Sequence, residues 1–288
     1  MADATTTGVV VAGLQFPVDG DVRANGARIE RGMRAAKARG AQLVLTPETA
    51  LTGYAWSDVT TWEGYDWRTL REETARLQGV ARALDLWLLL GSTHFVDEGV
   101  RPMNALYVIA PSGEIVDRYD KSMLTDPDQR MYSAGDHPVV VEVGGVKMGV
   151  LICYDVCYPE MAARYRAMGC SVVLHAFYNA GFDGPNILDE VKPAWIRVRA
   201  ADNQMHVVAV NSSRAHSSWG SRVARPDGSI ASELDPHAED VVVHAFPDET
   251  ITGWLHNMKP MRLADDEVYT RGETASAHPR VQSRTAPP

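Results

Sequence analysis

Short apolar runs alternate with amphipathic segments along the first ninety residues. Gly8 to Phe16 and Ala41 to Leu45 are short and apolar, which predicts strands. Val22 to Arg39 carries Ile29, Met33 and Ala36 at helical spacing, and Trp67 to Leu84 carries Leu70, Leu77 and Val80, so both are expected to be helices. Leu86 to Leu90 is continuously apolar, as a central strand covered on both faces would be. The rhythm then changes. Ala105 to Ala110, Glu114 to Tyr119, Val139 to Val143 and Val146 to Ile152 are strand-like with only turn signals between some of them, among them Pro111-Ser112-Gly113 and Gly144-Gly145. Alternation resumes with a helix from Pro159 to Met168, a strand Ser171 to Leu174, a helix Ile187 to Asn203 and a strand His206 to Val210. A last hairpin around Pro226-Asp227-Gly228 leads to Val241 to Phe246.

Parallel-type segments flanking antiparallel hairpins predict an α/β fold with two mixed β-sheets packed face to face and helices outside, a four-layer α-β-β-α sandwich. Residues 1–263 are expected to form this domain. Past Leu263 Ser, Thr, Arg and Pro dominate, and residues 264–288 are expected to be an arm or tail.

Composition narrows the class. Hydrophobic residues make up 45% and charged residues 23%, as in globular proteins, and the net charge of −9 offers no broad basic footprint for nucleic acid. The basic cluster from Arg31 to Arg39 alternates with apolar residues and is a solvated helix face. No apolar run approaches the ~18 residues of a membrane span, and Met1 to Gly8 has no signal-peptide pattern. With 3 cysteines at no framework spacing, a reducing cytoplasm is the expected location.

Candidate chemistry lies at three strand ends. Cys153, in V-L-I-C-Y-D-V-C-Y-P-E (150–160), sits where a buried strand turns toward a helix. Backbone N–H groups at such a corner lower a thiol's pKa and bind an oxyanion, although a buried cysteine is more often a small core residue. Glu48 follows the strand at 41–45, with Pro47 before it and Gly53 permitting a turn behind it. Lys121 follows the strand at 114–119. Groups beyond strand ends converge in layered α/β folds, so the three are expected to share a crevice. Glu48 then serves as general base and acid, Cys153 as nucleophile, and Lys121 with the Tyr154 N–H as oxyanion donors. No metal or cofactor is required. Cys153 and Cys157 lack a companion ligand pair for zinc, and Cys170 is expected in the core. His94 or His175 as base in a Cys–His dyad is the rival arrangement.

P-E-T-A-L-T-G-Y (47–54), Y-D-K-S-M-L (119–124) and I-C-Y-D-V-C-Y-P-E (152–160), in this order, resemble the Glu–Lys–Cys motifs of the nitrilase superfamily, the carbon–nitrogen hydrolases. The resemblance covers about Val9 to Met261 and includes W-I-R-V-R-A-A-D-N-Q (195–204), V-V-A-V-N (207–211) and the R-P-D-G turn (225–228). It implies the same sandwich, thioester catalysis without cofactor, a small amide or ureido substrate, and a homodimer or higher even oligomer. Many members carry a second glutamate after the lysine. Asp128 stands there, one methylene short, so a bridging water or a shifted pocket is expected. Tyr154-Asp155 resembles the amidase and carbamoyl-hydrolase branches rather than nitrilases. The arginines with which some carbamoyl hydrolases hold a carboxylate are replaced by Val156 and Cys157, leaving Arg130 and His175 as substitutes. Tyr54, His175, Tyr178 and Asn179 are candidate substrate contacts, with a structural role the alternative for His175. Trp56, Trp62, Tyr65 and Trp67 are expected as core or subunit contacts, or as a pocket wall. The expected activity is amide or N-carbamoyl hydrolysis, with nitrile hydrolysis, acyl transfer and non-catalytic binding as alternatives.

Overall fold

Successive side chains of a strand point to opposite faces, and here both faces are apolar. In β2 (Leu43–Leu45), Leu43 and Leu45 join one buried cluster and Val44 the other. In β3 (Trp87–His94), Leu89 goes with the first cluster and Leu88 and Leu90 with the second. A sheet built this way must be covered on both sides. The computed structural model, which describes residues 8–180, 184 and 187–248, shows how.

The first sheet has the strand order β12-β1-β2-β3-β4-β5, where β1 is Val9–Gln15, β4 Met103–Ile109, β5 Ile115–Asp120 and β12 Asp240–Phe246. The second has the order β11-β10-β9-β8-β7-β6, with β6 Val140–Val143, β7 Val146–Ile152, β8 Val172–Ala176, β9 His206–Val210, β10 Arg222–Ala224 and β11 Ile230–Glu233. Both are mixed. β1, β2 and β3 run parallel, as do β7, β8 and β9, and the outer strands pair antiparallel.

Helices complete the four layers. α1 (Val22–Ala38) buries Ile29, Met33 and Ala36, and α2 (Trp67–Leu84) buries Leu70, Leu77 and Val80, in one cluster with Val44, Leu88 and Leu90. The Asp21 side chain caps α1 by accepting from the Arg23 and Ala24 N–H groups; its loss would cost about 1 kcal/mol. α4 (Pro159–Ala167) and α5 (Leu188–Asn203) contribute Ala162, Tyr165, Ile196 and Ala200 to the other cluster, which also fills the space between the sheets.

Two elements differ from the sequence reading. β3 runs on to His94, because Gly91, Ser92 and Thr93 are strand residues whose polar character hides the pattern. Their burial has a purpose: a Cβ on Gly91 would lie 2.0 Å from the Pro47 carbonyl oxygen, so only glycine lets the Glu48 loop cross β3. A short helix, α3 (Asp126–Met131), which the hydrophobic pattern does not predict, also forms. Its Thr125–Asp128 capping box and Pro127 in the first turn are the signals that mark it.

All described residues belong to one unit, Met1–Ile251; residues 264–288, the expected arm, lie outside them. No helix among the described residues is long and apolar enough to cross a membrane.

Candidate active site

The three strand ends meet. Lys121, on the turn after β5, places Nζ 2.7 Å from Glu48 Oε1 and 2.7 Å from Asp128 Oδ2. All three side chains are almost wholly buried. Burial opposes the ammonium, but Glu48 and the surrounding negative groups outweigh it and hold the Lys121 pKa well above its ordinary value. Burial likewise works against the Asp128 carboxylate, yet Lys121 and the Tyr54 hydroxyl keep its pKa below the usual range. The Asp128 side chain reaches Lys121 directly, although it is one methylene shorter than the glutamate the resemblance implies. α3 explains the reach: its capping box brings Asp128 back over the Thr125 N–H, 3.1 Å away.

Glu48 is held from four sides. Oε1 accepts from Lys121 and from Asn104 Nδ2 at 2.8 Å, and Oε2 accepts the Tyr178 N–H at 2.9 Å. The Glu48 N–H donates to the Phe177 carbonyl at 3.3 Å. Asn104 was missed by the sequence reading. Its place on β4, facing Lys121 across the hairpin, is the only signal, since Lys121 N–H bonds the Asn104 carbonyl at 2.8 Å.

Cys153 opens a tight 3-10 turn, Cys153–Cys157, directly after β7. Its φ is +43°, a left-handed value that costs a non-glycine residue about 1–3 kcal/mol. The turn is pinned by Asp155, which is fully buried. Its carboxylate accepts from the Ile152 N–H at 2.9 Å, the Met123 N–H at 2.9 Å and the Tyr119 hydroxyl at 2.7 Å. One side chain thus ties the cysteine turn to the lysine loop. Burial, partly offset by these bonds, raises the Asp155 pKa to about 6.

The Cys153 thiol is pushed up to about 12, by burial first and by Glu48 next, with Lys121 and Lys192 pulling the other way. The resting Cys153 side chain is therefore a neutral thiol, and any attack by it needs a base. His175 is not that base. It stacks on Phe177 at 4.2 Å and sets Nε2 3.3 Å from the Cys153 carbonyl, and burial lowers its pKa to about 3. These contacts are of the kind that a structural role for His175 uses. His94 bonds the Tyr107 hydroxyl on β4 at 2.8 Å and faces away from the acid–lysine group.

Tyr54 and Tyr178 stack at 4.7 Å and 7°, forming a wall beside Lys121, with the Tyr54 hydroxyl 2.8 Å from Asp128 Oδ1. Arg214 and Asp58 clamp the Tyr178 hydroxyl from outside, at 2.8 and 3.2 Å. Asn179 accepts a hydrogen bond from Lys192 of α5, and its N–H donates to Asn211 Oδ1 at 2.9 Å. Lys192 is a cation that the sequence reading missed; a lone lysine on a helix carries no signal. Arg130, one substitute proposed for the absent arginines, lies exposed over the Trp56 ring at 5.5 Å. Tyr154 is partly exposed and packs edge-on against Tyr158. Trp62, Tyr65 and Trp67 pack with one another, as expected for a core cluster, while Trp56 is exposed.

A carboxylate, a lysine and a second carboxylate buried beside a strained cysteine turn form a constellation for acyl transfer. The sequence profile of the carbon-nitrogen hydrolase family matches residues 10–255. The chain belongs to the carbon-nitrogen hydrolases. It is accordingly a hydrolase, of the class that cleaves carbon–nitrogen bonds in amides. Among its relatives, Nitrilase homolog 2 of Dictyostelium discoideum is 29% identical over 217 residues, which span 70% of this chain and 64% of that protein, under two thirds of its length. Omega-amidase NIT2 of Xenopus tropicalis is 27% identical over 80% of this chain and 85% of its own. Among solved structures, an amidase from Nesterenkonia sp. superposes with a TM-score of 0.73 at 24% identity, covering 87% of this chain and 93% of that one, and shares the fold.

Proposed function

We propose that this carbon-nitrogen hydrolase cleaves small non-peptide amides or N-carbamoyl compounds through a thioester on Cys153. The observation that carries the proposal is the buried Glu48–Lys121–Asp128 group, whose charges act on the Cys153 thiol.

Counting lone pairs and donors assigns the roles. A carboxylate oxygen accepts about two bonds. Glu48 Oε1 already accepts from Lys121 and Asn104, whereas Oε2 accepts only the Tyr178 N–H. Oε2 is thus the oxygen with capacity to take the Cys153 proton as sulfur attacks the carbonyl. An ammonium has three donors, and two of those on Lys121 go to Glu48 and Asp128. The third is left for the substrate oxygen, with the Tyr154 N–H at the start of the turn as its companion donor. Glu48 then hands the proton to the leaving ammonia or amine. In the second half it takes a proton from water, which attacks the thioester and frees the thiol. Asp128 and Tyr54 keep Lys121 charged and aimed.

Lys192 narrows the substrate class. Its charge acts on both Cys153 and Cys157, and it replaces the missing arginines from a different element. A monoamide with an anionic far end fits a cation in that place. The exposed Met168, Ile187 and Val198 on the α4–α5 layer support assembly with a second copy through that face. The three cysteines, all free, support a reducing compartment.

Ammonia release from a panel of short amides, dicarboxylate monoamides, ureido acids and nitriles tests the reading. Turnover of amides that vanishes in Cys153→Ala, with an unchanged circular dichroism spectrum, is the expected result. Undiminished ammonia release by Cys153→Ala would overturn it. Added amines that divert the acyl group from water would instead favour a transferase.

A further inference from the structure

We propose that His206, His244 and Asp248 form a binding site for a divalent transition metal such as Zn²⁺, separate from the catalytic group. Among the described residues these are the His, Cys, Asp or Glu side chains that gather as a set of three, with one donor atom from each lying within 4.8 Å of the others. His244 Nε2 is 3.0 Å from Asp248 Oδ2, and His206 Nε2 is 3.8 Å from the same oxygen. Donors about 2.0–2.1 Å from a tetrahedral zinc ion stand roughly 3.3 Å apart, so the spacing suits a shared ion with little movement.

A second observation points to a ligand. His206 is 6% exposed, and its Nε2 is buried without a hydrogen-bond partner. A buried imidazole nitrogen left so costs about 1–3 kcal/mol, and it is aimed at the Asp248 carboxylate from just beyond bonding range. An ion between the two satisfies it. Both rings are also braced as ligands should be, His206 edge-on to Phe246 at 5.0 Å and His244 against the same ring at 4.8 Å.

Among the described residues, a positive group facing the cluster is Arg225, whose Nε lies 3.3 Å from Asp248 Oδ2. It is the counter-charge of the metal-free state and competes with an incoming cation for that oxygen. The position in the fold gives the site a role. His206 begins β9 in the second sheet, and His244 and Asp248 lie on and just after β12 in the first. A metal there staples the two sheets together. The register places His206 beside Val172, and Val172 beside Met148, whereas Cys153 follows Ile152 at the other end of β7. The staple and the nucleophile are therefore separated by roughly 16 Å along the strand direction.

Titration of the purified full chain with Zn²⁺, and with Co²⁺ as a spectroscopic probe, tests this. One equivalent is expected to bind, with the visible bands of a cobalt ion bound by nitrogen and oxygen and no thiolate charge-transfer band, and Zn²⁺ should raise the melting temperature. His206→Gln and His244→Gln should each weaken binding by more than the roughly 10–100-fold that loss of an outer partner costs. Arg225→Gln should change affinity in the opposite direction and tighten it. Retained amide turnover and circular dichroism in these variants show that the fold persists. The proposal fails if the histidine variants bind as the parent does, if the cobalt spectrum reports a thiolate, or if Arg225→Gln weakens binding as much as they do.

Discussion

Asp128 and Lys121 form a buried ion pair at 2.7 Å, with the carboxylate and the ammonium each almost fully shielded from water. The sequence resemblance places a longer glutamate at this position. The pair is closed by helix α3, which lifts the shorter side chain to the same nitrogen. Restoring the longer residue is therefore not a repair. Asp128→Glu is expected to crowd the site and destabilise the protein by about 1–3 kcal/mol. Asp128→Ala leaves Lys121 one counter-charge short and should cost about 3 kcal/mol or more. Chemical denaturation alongside amide turnover checks both, and a Glu variant more stable and more active than the parent would show the pair to be misread.

Glu48 should control the reactivity of Cys153, because the neutral thiol needs a proton acceptor when it attacks. Iodoacetamide alkylates thiols and carries an amide group. Mass spectrometry of tryptic peptides should find Cys153 alkylated faster than Cys157 and Cys170. In Glu48→Gln that lead should disappear, while labelling of the other two stays as it was. Equal rates at the three thiols in the parent protein would contradict the assigned roles.

Asp155 holds the Cys153 turn through the Ile152 and Met123 N–H groups and the Tyr119 hydroxyl. Asp155→Asn keeps the volume but cannot accept all three bonds. Turnover should fall by about 10-fold or more, since loss of one well-placed hydrogen bond to a charged group is worth about 1.5–3 kcal/mol. The loss should sit in kcat rather than KM, because Asp155 is fully buried and acts through the Cys153 turn. A change confined to KM would assign it to the binding pocket instead.

His175 makes stability depend on pH in a defined window. Its pKa falls from 6.5 in the unfolded chain to about 3 in the fold, so the unfolded chain binds the extra proton first. Its contribution is complete above about pH 6.5 and is lost as pH falls toward 3. His175→Gln should flatten the stability curve over that window relative to the parent, measured by urea denaturation at a series of pH values. A parent and variant with parallel curves would mean that His175 is not buried as a neutral ring.

Much of this was legible in the sequence, and the reason is local. Glu48 and Cys153 each follow an apolar run that reads as a strand, Lys121 follows the second strand of a hairpin marked by Pro111-Ser112-Gly113, and the ends of such strands converge. The α1 and α2 helices were visible because Ile29, Met33 and Leu77 repeat at helical spacing. What was hidden depends on contacts across the chain. Asn104 looks like any polar residue in a hairpin until its carbonyl is seen opposite Lys121. Lys192 lies on a helix far from the motifs, and only packing of α5 brings it to the cysteine turn. The reach of Asp128 followed from a capping box whose parts, Thr125 and Asp128, were present but unread. His206, His244 and Asp248 come from two sheets, and no spacing in the chain announces them.

The most direct measurement is to quench the reaction with an amide substrate within a turnover and weigh the protein. The account predicts an added mass equal to the acyl group, located on the peptide that contains Cys153, which disappears when substrate is exhausted. Steady ammonia release with no acyl mass on Cys153, or with the acyl group on Cys157, would contradict it.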